Sequence, residues 1–153
     1  MELHSITFPG LPESYSVAPA TESADYPGCY YRMANGVMEW VNPPMIPGVE
    51  YRTTERWNGK PVYATLLDFG ALPNNNRKGV VANINKAPKF NIVGGLVAYL
   101  SSGFTINGVG YDAGYFINGS HIMVTSFANQ VVINTDYDAS GVSAYVLVKS
   151  VQE

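Results

Sequence analysis

Apolar and polar positions alternate with a period of two along most of this chain, and Asn-Gly, Pro-Gly and Asn-rich steps cut the alternation at short intervals. That pattern predicts strands joined by tight turns, and no stretch of useful length keeps a helical period. The strongest turn signal is Asn58-Gly59. A two-residue type I′ turn needs positive φ at both positions, and Asn followed by Gly tolerates this best. With that turn, Tyr51 is expected opposite Leu66, Thr53 opposite Ala64 and Glu55 opposite Val62. On the other face Arg52 meets Thr65 and Thr54 meets Tyr63. β-Branched and aromatic residues fill both arms, as strands prefer. Pro61 has no N–H to donate, so an unpaired position just after the turn suits it.

A second step, Asn35-Gly36, predicts a hairpin with Tyr31 opposite Trp40, Met33 opposite Met38 and Arg32 opposite Glu39. One face is then aromatic and sulfur-rich, and the other carries a cross-strand ion pair. A lone hairpin is marginal in water. The Tyr31, Met33, Met38 and Trp40 face is therefore expected to cover something, either the downstream domain or a symmetry mate. Residues 1–22 read as an extended attachment arm, with strand pieces at 3–8 and 13–18 broken by Pro9-Gly10 and Pro12. Its apolar side chains, Ile6 and Phe8 among them, need a surface, on their own domain or in a larger assembly. Residues 20–27 read as loop. The hairpin segment, 23–48, closes on a stretch with three prolines that predicts a stiff spacer.

Residues 49–153 read as the C-terminal domain. After the central hairpin, strands are predicted at 79–84, 90–100, 104–106, 115–117, 121–127, 130–136 and 142–151, with turns at 107–108, 118–119 and 128–129. The last of these turns pairs Val124 with Ile133 and Ser126 with Val131. Short strands with regular turns predict an all-β protein whose C-terminal part is an antiparallel, jelly-roll-like β-sandwich. The final strand is apolar on both faces, with Val142, Ala144, Val146 and Val148 on one and Tyr145, Leu147 and Val151 on the other. It is expected to be central or to border a subunit interface.

Charged residues make up 14% of the chain, well under the ~25% of ordinary soluble domains. With many aromatics and turn formers, that describes a β protein with large contact surfaces rather than disorder. A formal net charge of −3 without a Lys/Arg cluster argues against a nucleic-acid partner. No apolar run approaches the ~20 residues of a membrane span, so no membrane insertion is expected. No charged-then-apolar leader opens the sequence, which predicts folding in a cytoplasm. The single Cys29 excludes an internal disulfide and reads as a small core hydrophobe.

Candidate chemistry is sparse. His4 and His121 have no carboxylates at ligand spacing, and no serine elbow is present. A glycan hydrolase would need two carboxylates across a cleft. Asp112, Asp136 and Asp138 all fall in Gly/Ser-containing turns where Asp is commonplace, so no catalytic residue and no cofactor are expected. Asp136, Asp138 and Ser140, followed by Gly141, imitate the first half of a calcium loop. The position of its bidentate Glu is Leu147, and Asp/Ser/Gly is also what an inter-strand turn wants. Asn118-Gly119-Ser120 has the form of a glycosylation site, which its turn explains. The stretch 108–121 is the most recognition-like. Tyr111, Asp112, Tyr115, Phe116, Asn118 and His121 set rings and hydrogen-bonding groups among glycines, as a sugar- or partner-binding surface does. The plainer reading makes Phe116 and one tyrosine core and the rest loop.

The segments VNPPM (41–45), GVEYRTTERWNGKPVY (48–63) and DFGALPN (68–74) resemble a domain of tail-fibre and baseplate proteins of phages and prophages of Gram-positive bacteria. The opening HSITFPGLPESYSV (4–17) and the closing SAYVLVKS (143–150) are similar to the two ends of the same proteins. Long members carry repeats between the ends; this chain has almost none. The resemblance implies a non-enzymatic virion protein assembled in the host cytoplasm, whose arm attaches to other virion proteins and whose β-domain meets a host receptor, such as a cell-surface glycan. It also implies a homotrimer, with avidity across copies strengthening weak sites. A head fibre or capsid decoration is one alternative, and a carbohydrate-binding module or glycan hydrolase another.

Overall fold

A computed structural model describes residues 4–5, 16–81, 90–108, 113–117, 120–127 and 130–152. The first part of the chain forms β1 (His4–Ser5), β2 (Ser16–Val17), β3 (Thr21–Glu22), β4 (Tyr30–Ala34) and β5 (Val37–Trp40). The central hairpin is β6 (Glu50–Trp57) and β7 (Lys60–Ala71). Then come β8 (Arg77–Val81), β9 (Phe90–Leu100), β10 (Thr105–Gly108), β11 (Ala113–Ile117), β12 (Ser120–Phe127), β13 (Gln130–Thr135) and β14 (Ser143–Gln152). No helix occurs among the described residues, and none there could cross a membrane as a helix.

The strands form two sheets. One runs β1-β2-β4-β5-β6-β7-β14-β9-β10, with β3 beside β4; the other runs β11-β12-β13-β8. Inward side chains of both meet in one core that includes Leu67, Phe69, Leu96, Ala98, Ile106, Ile122, Val124, Val131, Ile133 and Val146. This is the expected all-β sandwich. The last strand, β14, lies between β7 and β9, while β8, next after β7 in the chain, lies beside β13 in the opposite sheet, so consecutive strands cross between the layers as in a jelly-roll-like sandwich.

Both Asn-Gly turns form with positive φ at each position: 52° and 75° at Asn35 and Gly36, 48° and 75° at Asn58 and Gly59. The β4–β5 pairs are the expected ones, Tyr31 with Trp40, Arg32 with Glu39 and Met33 with Met38. So are Val124 with Ile133 and Ser126 with Val131 across β12 and β13. A Cβ built on Gly36 would meet nothing within 4 Å, so Gly36→Ala isolates the backbone cost of a left-handed residue. Thermal unfolding should show a loss of about 1–2 kcal/mol. Gly141→Ala, also in open space but without positive φ, should be close to neutral.

Three expectations need correction. In the central hairpin only Trp57–Lys60 and Arg56–Pro61 keep the register expected from the turn; beyond a bulge, Arg52 faces Tyr63, Tyr51 faces Ala64 and Glu50 faces Thr65. Three residues of β6, 53–55, stand against Val62 alone. Thr53 holds the bulge by donating from Oγ1 to the Val62 carbonyl (2.7 Å) and accepting from the Glu55 N–H (3.2 Å). Residues 21–22, expected as loop, pair with Tyr31 and Tyr30. Asn107-Gly108 is not a turn but the end of β10, paired with Val97 and Leu96.

The final strand is central, hydrogen-bonded to β7 on one side and β9 on the other. The Pro-rich stretch is tied down, since the Gly48 N–H donates to the Leu66 carbonyl at 2.8 Å. β5 pairs in parallel with β6 through Trp40 and Thr53. The 23–48 hairpin thus continues the sheet of the C-terminal strands.

Candidate functional site

The 41–74 signature is chiefly a folding device. Phe69 and Leu72 are buried core residues, and the Pro73 carbonyl accepts from Thr135 Oγ1 at 2.9 Å and the Ala139 N–H at 3.3 Å. At the Phe69–Gly70 step β7 gains a residue relative to β14, with φ of 72° at Gly70. Lys78 closes over this bulge, its Nζ donating to the carbonyls of Phe69 (2.9 Å) and Ala71 (2.6 Å) and lying 4.8 Å from the Phe69 ring centroid.

Arg52 and Arg56 have another role. In a regular strand, residues four apart lie ~13 Å from one another. The 53–55 bulge sets this pair against Tyr63 and Pro61, only two residues apart on β7, which about halves the separation. Both guanidiniums reach Glu39, whose side chain has 0% exposure. Arg52 Nε lies 3.1 Å from Oε1, Arg56 joins the same oxygen, and Arg32 lies 3.4 Å from Oε2. The expected Arg32–Glu39 pair is thus one side of a buried cluster. The sequence signal for the rest was Arg-Thr-Thr-Glu-Arg itself, but an unbroken register hides it.

Among the residues expected to make assembly contacts, Tyr31, Met33, Met38 and Trp40 do share a face. Trp40 is covered within the chain, making edge contacts with Tyr26, Tyr31 and Tyr51 at centroid distances of 6.4, 5.7 and 5.9 Å. Burial pushes the Tyr51 phenol above its ordinary value of 10.0, against a hydrogen bond with the Ile46 backbone. Met33 and Met38 stay open at 38% and 40% exposure. Ile6 and Phe8 lie outside the described residues.

A second apolar surface lies on the outward face of the central strands. Leu66 opposes Leu147, and Tyr145 opposes Tyr99, with Met45 beside them. These five residues line a groove of about 270 Å³, and Tyr99 and Tyr145 are each 44% exposed.

Among the residues expected to contact a receptor, Tyr111, Asp112 and Asn118 lie outside the described residues. Tyr115 pairs with Ile122 and His121 with Phe116 in the β11–β12 ladder. In the 136–141 turn, Asp138 Oδ1 accepts from Ser140 Oγ at 2.6 Å and from the Ser140 N–H at 3.0 Å. Those bonds, the hydroxyl first, hold the Asp138 carboxyl below its ordinary value of 3.8. Its small stabilising effect is therefore full above that value and is lost as pH falls through the depressed one. An NMR titration should find the Asp138 midpoint low, and Ser140→Ala should raise it. No group of three His, Cys, Asp or Glu placed to hold a metal occurs among the described residues.

Fold and surfaces together define a β-sandwich protein with open apolar faces. Compared with protein-family models, curated proteins and solved structures, the chain finds no match.

Proposed function

We propose that the chain is a phage virion structural protein, a short tail-fibre or baseplate-type protein whose β-sandwich meets the host cell. The observation that carries this reading is the outward face of β7, β14 and β9. Antiparallel sandwiches usually turn polar residues outward. Here Leu66, Leu147, Tyr145 and Tyr99 form a continuous apolar ladder beside Met45. Patches of this kind mark contacts with other chains. A homotrimer covers such faces, and the open Met33/Met38 pair offers a second contact to copies or to neighbouring virion proteins. The motif resemblance supplies the setting: assembly in the bacterial host cytoplasm, residence on the particle, and receptor contact through the 108–121 region.

Solution mass and location on the particle test this reading. Light scattering should give three times the chain mass of 16.6 kDa, and Tyr99→Glu with Tyr145→Glu should release folded monomer. Antibody labelling of imaged particles should mark the tail tip. Monomers at high concentration would remove the trimer, and labelling spread over the head would replace the fibre with a decoration protein.

A further inference from the structure

We propose that the trimer is held by a head-to-tail contact: the Met33/Met38 pair of one copy seats in the groove of Met45, Leu66, Tyr99, Tyr145 and Leu147 on the next. This contact deepens the assembly reading above and rests on it. A self-complementary patch closes a dimer, whereas a ring of three joins two different surfaces of the chain. Two such surfaces are open here, and both lie on one face of the large sheet. Met38 and Trp40, two apart on β5, share a face, and Trp40 meets the Tyr51 ring at 5.9 Å. Tyr51 in turn opposes Ala64, which shares its face of β7 with Leu66. The methionine pair and the groove therefore flank the Trp40–Tyr51 contact on a common face. With that face turned toward a threefold axis, one flank meets one neighbour and the other flank meets the other.

A copy does not fill its own groove with its own methionines. β6 and β7 stand between β5 and β14, neighbouring strands lie ~4.8 Å apart, and the Trp40–Thr53 bridge ties the hairpin into the sheet. The two surfaces also match in chemistry. The groove is a recess of about 270 Å³, and none of its five lining residues carries a charge. Met33 and Met38 oppose one another directly, are both exposed and sit beside the Asn35-Gly36 turn, so they make one uncharged knob near a hairpin tip. Methionine is flexible enough to fill an irregular recess, and its sulfur makes favourable contacts with aromatic rings, here the exposed Tyr99 and Tyr145. Other large exposed side chains do not form such a knob: Trp57 opposes Lys60, and Val81 opposes Gln130.

The test is complementation between two double variants of the whole chain. Met33→Lys with Met38→Glu spoils the knob, and Tyr99→Lys with Tyr145→Glu spoils the groove. In each, the opposed residues become an ion pair that keeps the strands together, while burial of charge in an apolar contact is disfavoured. Light scattering should show each variant alone as a folded monomer, a fall from three chains to one. A mixture of the two keeps one intact contact, the knob of the groove variant in the groove of the knob variant. With the groove variant labelled at its methionine methyls, adding unlabelled knob variant to about millimolar concentration should shift Met33 and Met38 saturably. Met123, on β12 of the other sheet, should not move. A knob variant that stays trimeric would overturn this contact and leave the trimer standing, as would a mixture without methyl shifts beside a trimeric wild type. A wild-type chain found as monomer or dimer would overturn the trimer, and this contact with it.

Discussion

Replacing Glu39 by Gln lowers the unfolding free energy by about 3 kcal/mol, although the side chain keeps its shape. The carboxylate has 0% side-chain exposure and sits among three guanidiniums that are themselves only 14–26% exposed. Removing its charge leaves like charges facing one another with little water between them. Taking one partner from a buried ion pair costs far more than the pair adds relative to apolar packing. The contrast within the molecule is Lys149–Glu55, at 2.8 Å but with side chains 35% and 53% exposed. Glu55→Gln should cost no more than about 1 kcal/mol. Molar salt should abolish that small difference and leave most of the Glu39 effect in place. A double-mutant cycle between Glu39→Gln and Arg56→Gln isolates the pair, with expected coupling above ~0.5 kcal/mol. Strict additivity would mean that the cluster holds nothing together.

The second large effect belongs to Phe69→Ala, which should cost about 3–5 kcal/mol. Phe69 is 2% exposed in the core between the two sheets. Truncation removes the ring and leaves a cavity that β7 cannot close, because its hydrogen bonds to β14 fix the strand. It also strips the surface beneath Lys78, whose ammonium lies 4.8 Å from the ring centroid while bonding two carbonyls of the bulge. Urea denaturation should show a lower midpoint with an unchanged slope. A loss below ~1 kcal/mol would move the centre of the core elsewhere.

Local rules made much of this molecule legible. Asn-Gly turns and period-two alternation need only neighbouring residues, so the β4–β5 register and the β12–β13 register follow from the sequence. The expected final strand at 142–151 forms as Ser143–Gln152, and its two apolar faces mark it as central. The 50–65 register did not follow, because turn chemistry sets the pairing only as far as the first irregularity. Thr53 starts a bulge through bonds to Val62 and Glu55 that alternation does not reveal.

The sequence by itself determined an all-β chain, the Asn35-Gly36 and Asn58-Gly59 turns, and the register of the β4–β5 and β12–β13 pairs. Tertiary structure alone decided that the charged face of the β4–β5 hairpin turns inward, with Glu39 buried and the Met33/Met38 face left open. The reason is physical. Two arginines brought together by a bulge on β6, with Arg32 across the hairpin, can bury a carboxylate together, and no pattern confined to one strand records where its neighbour will place them.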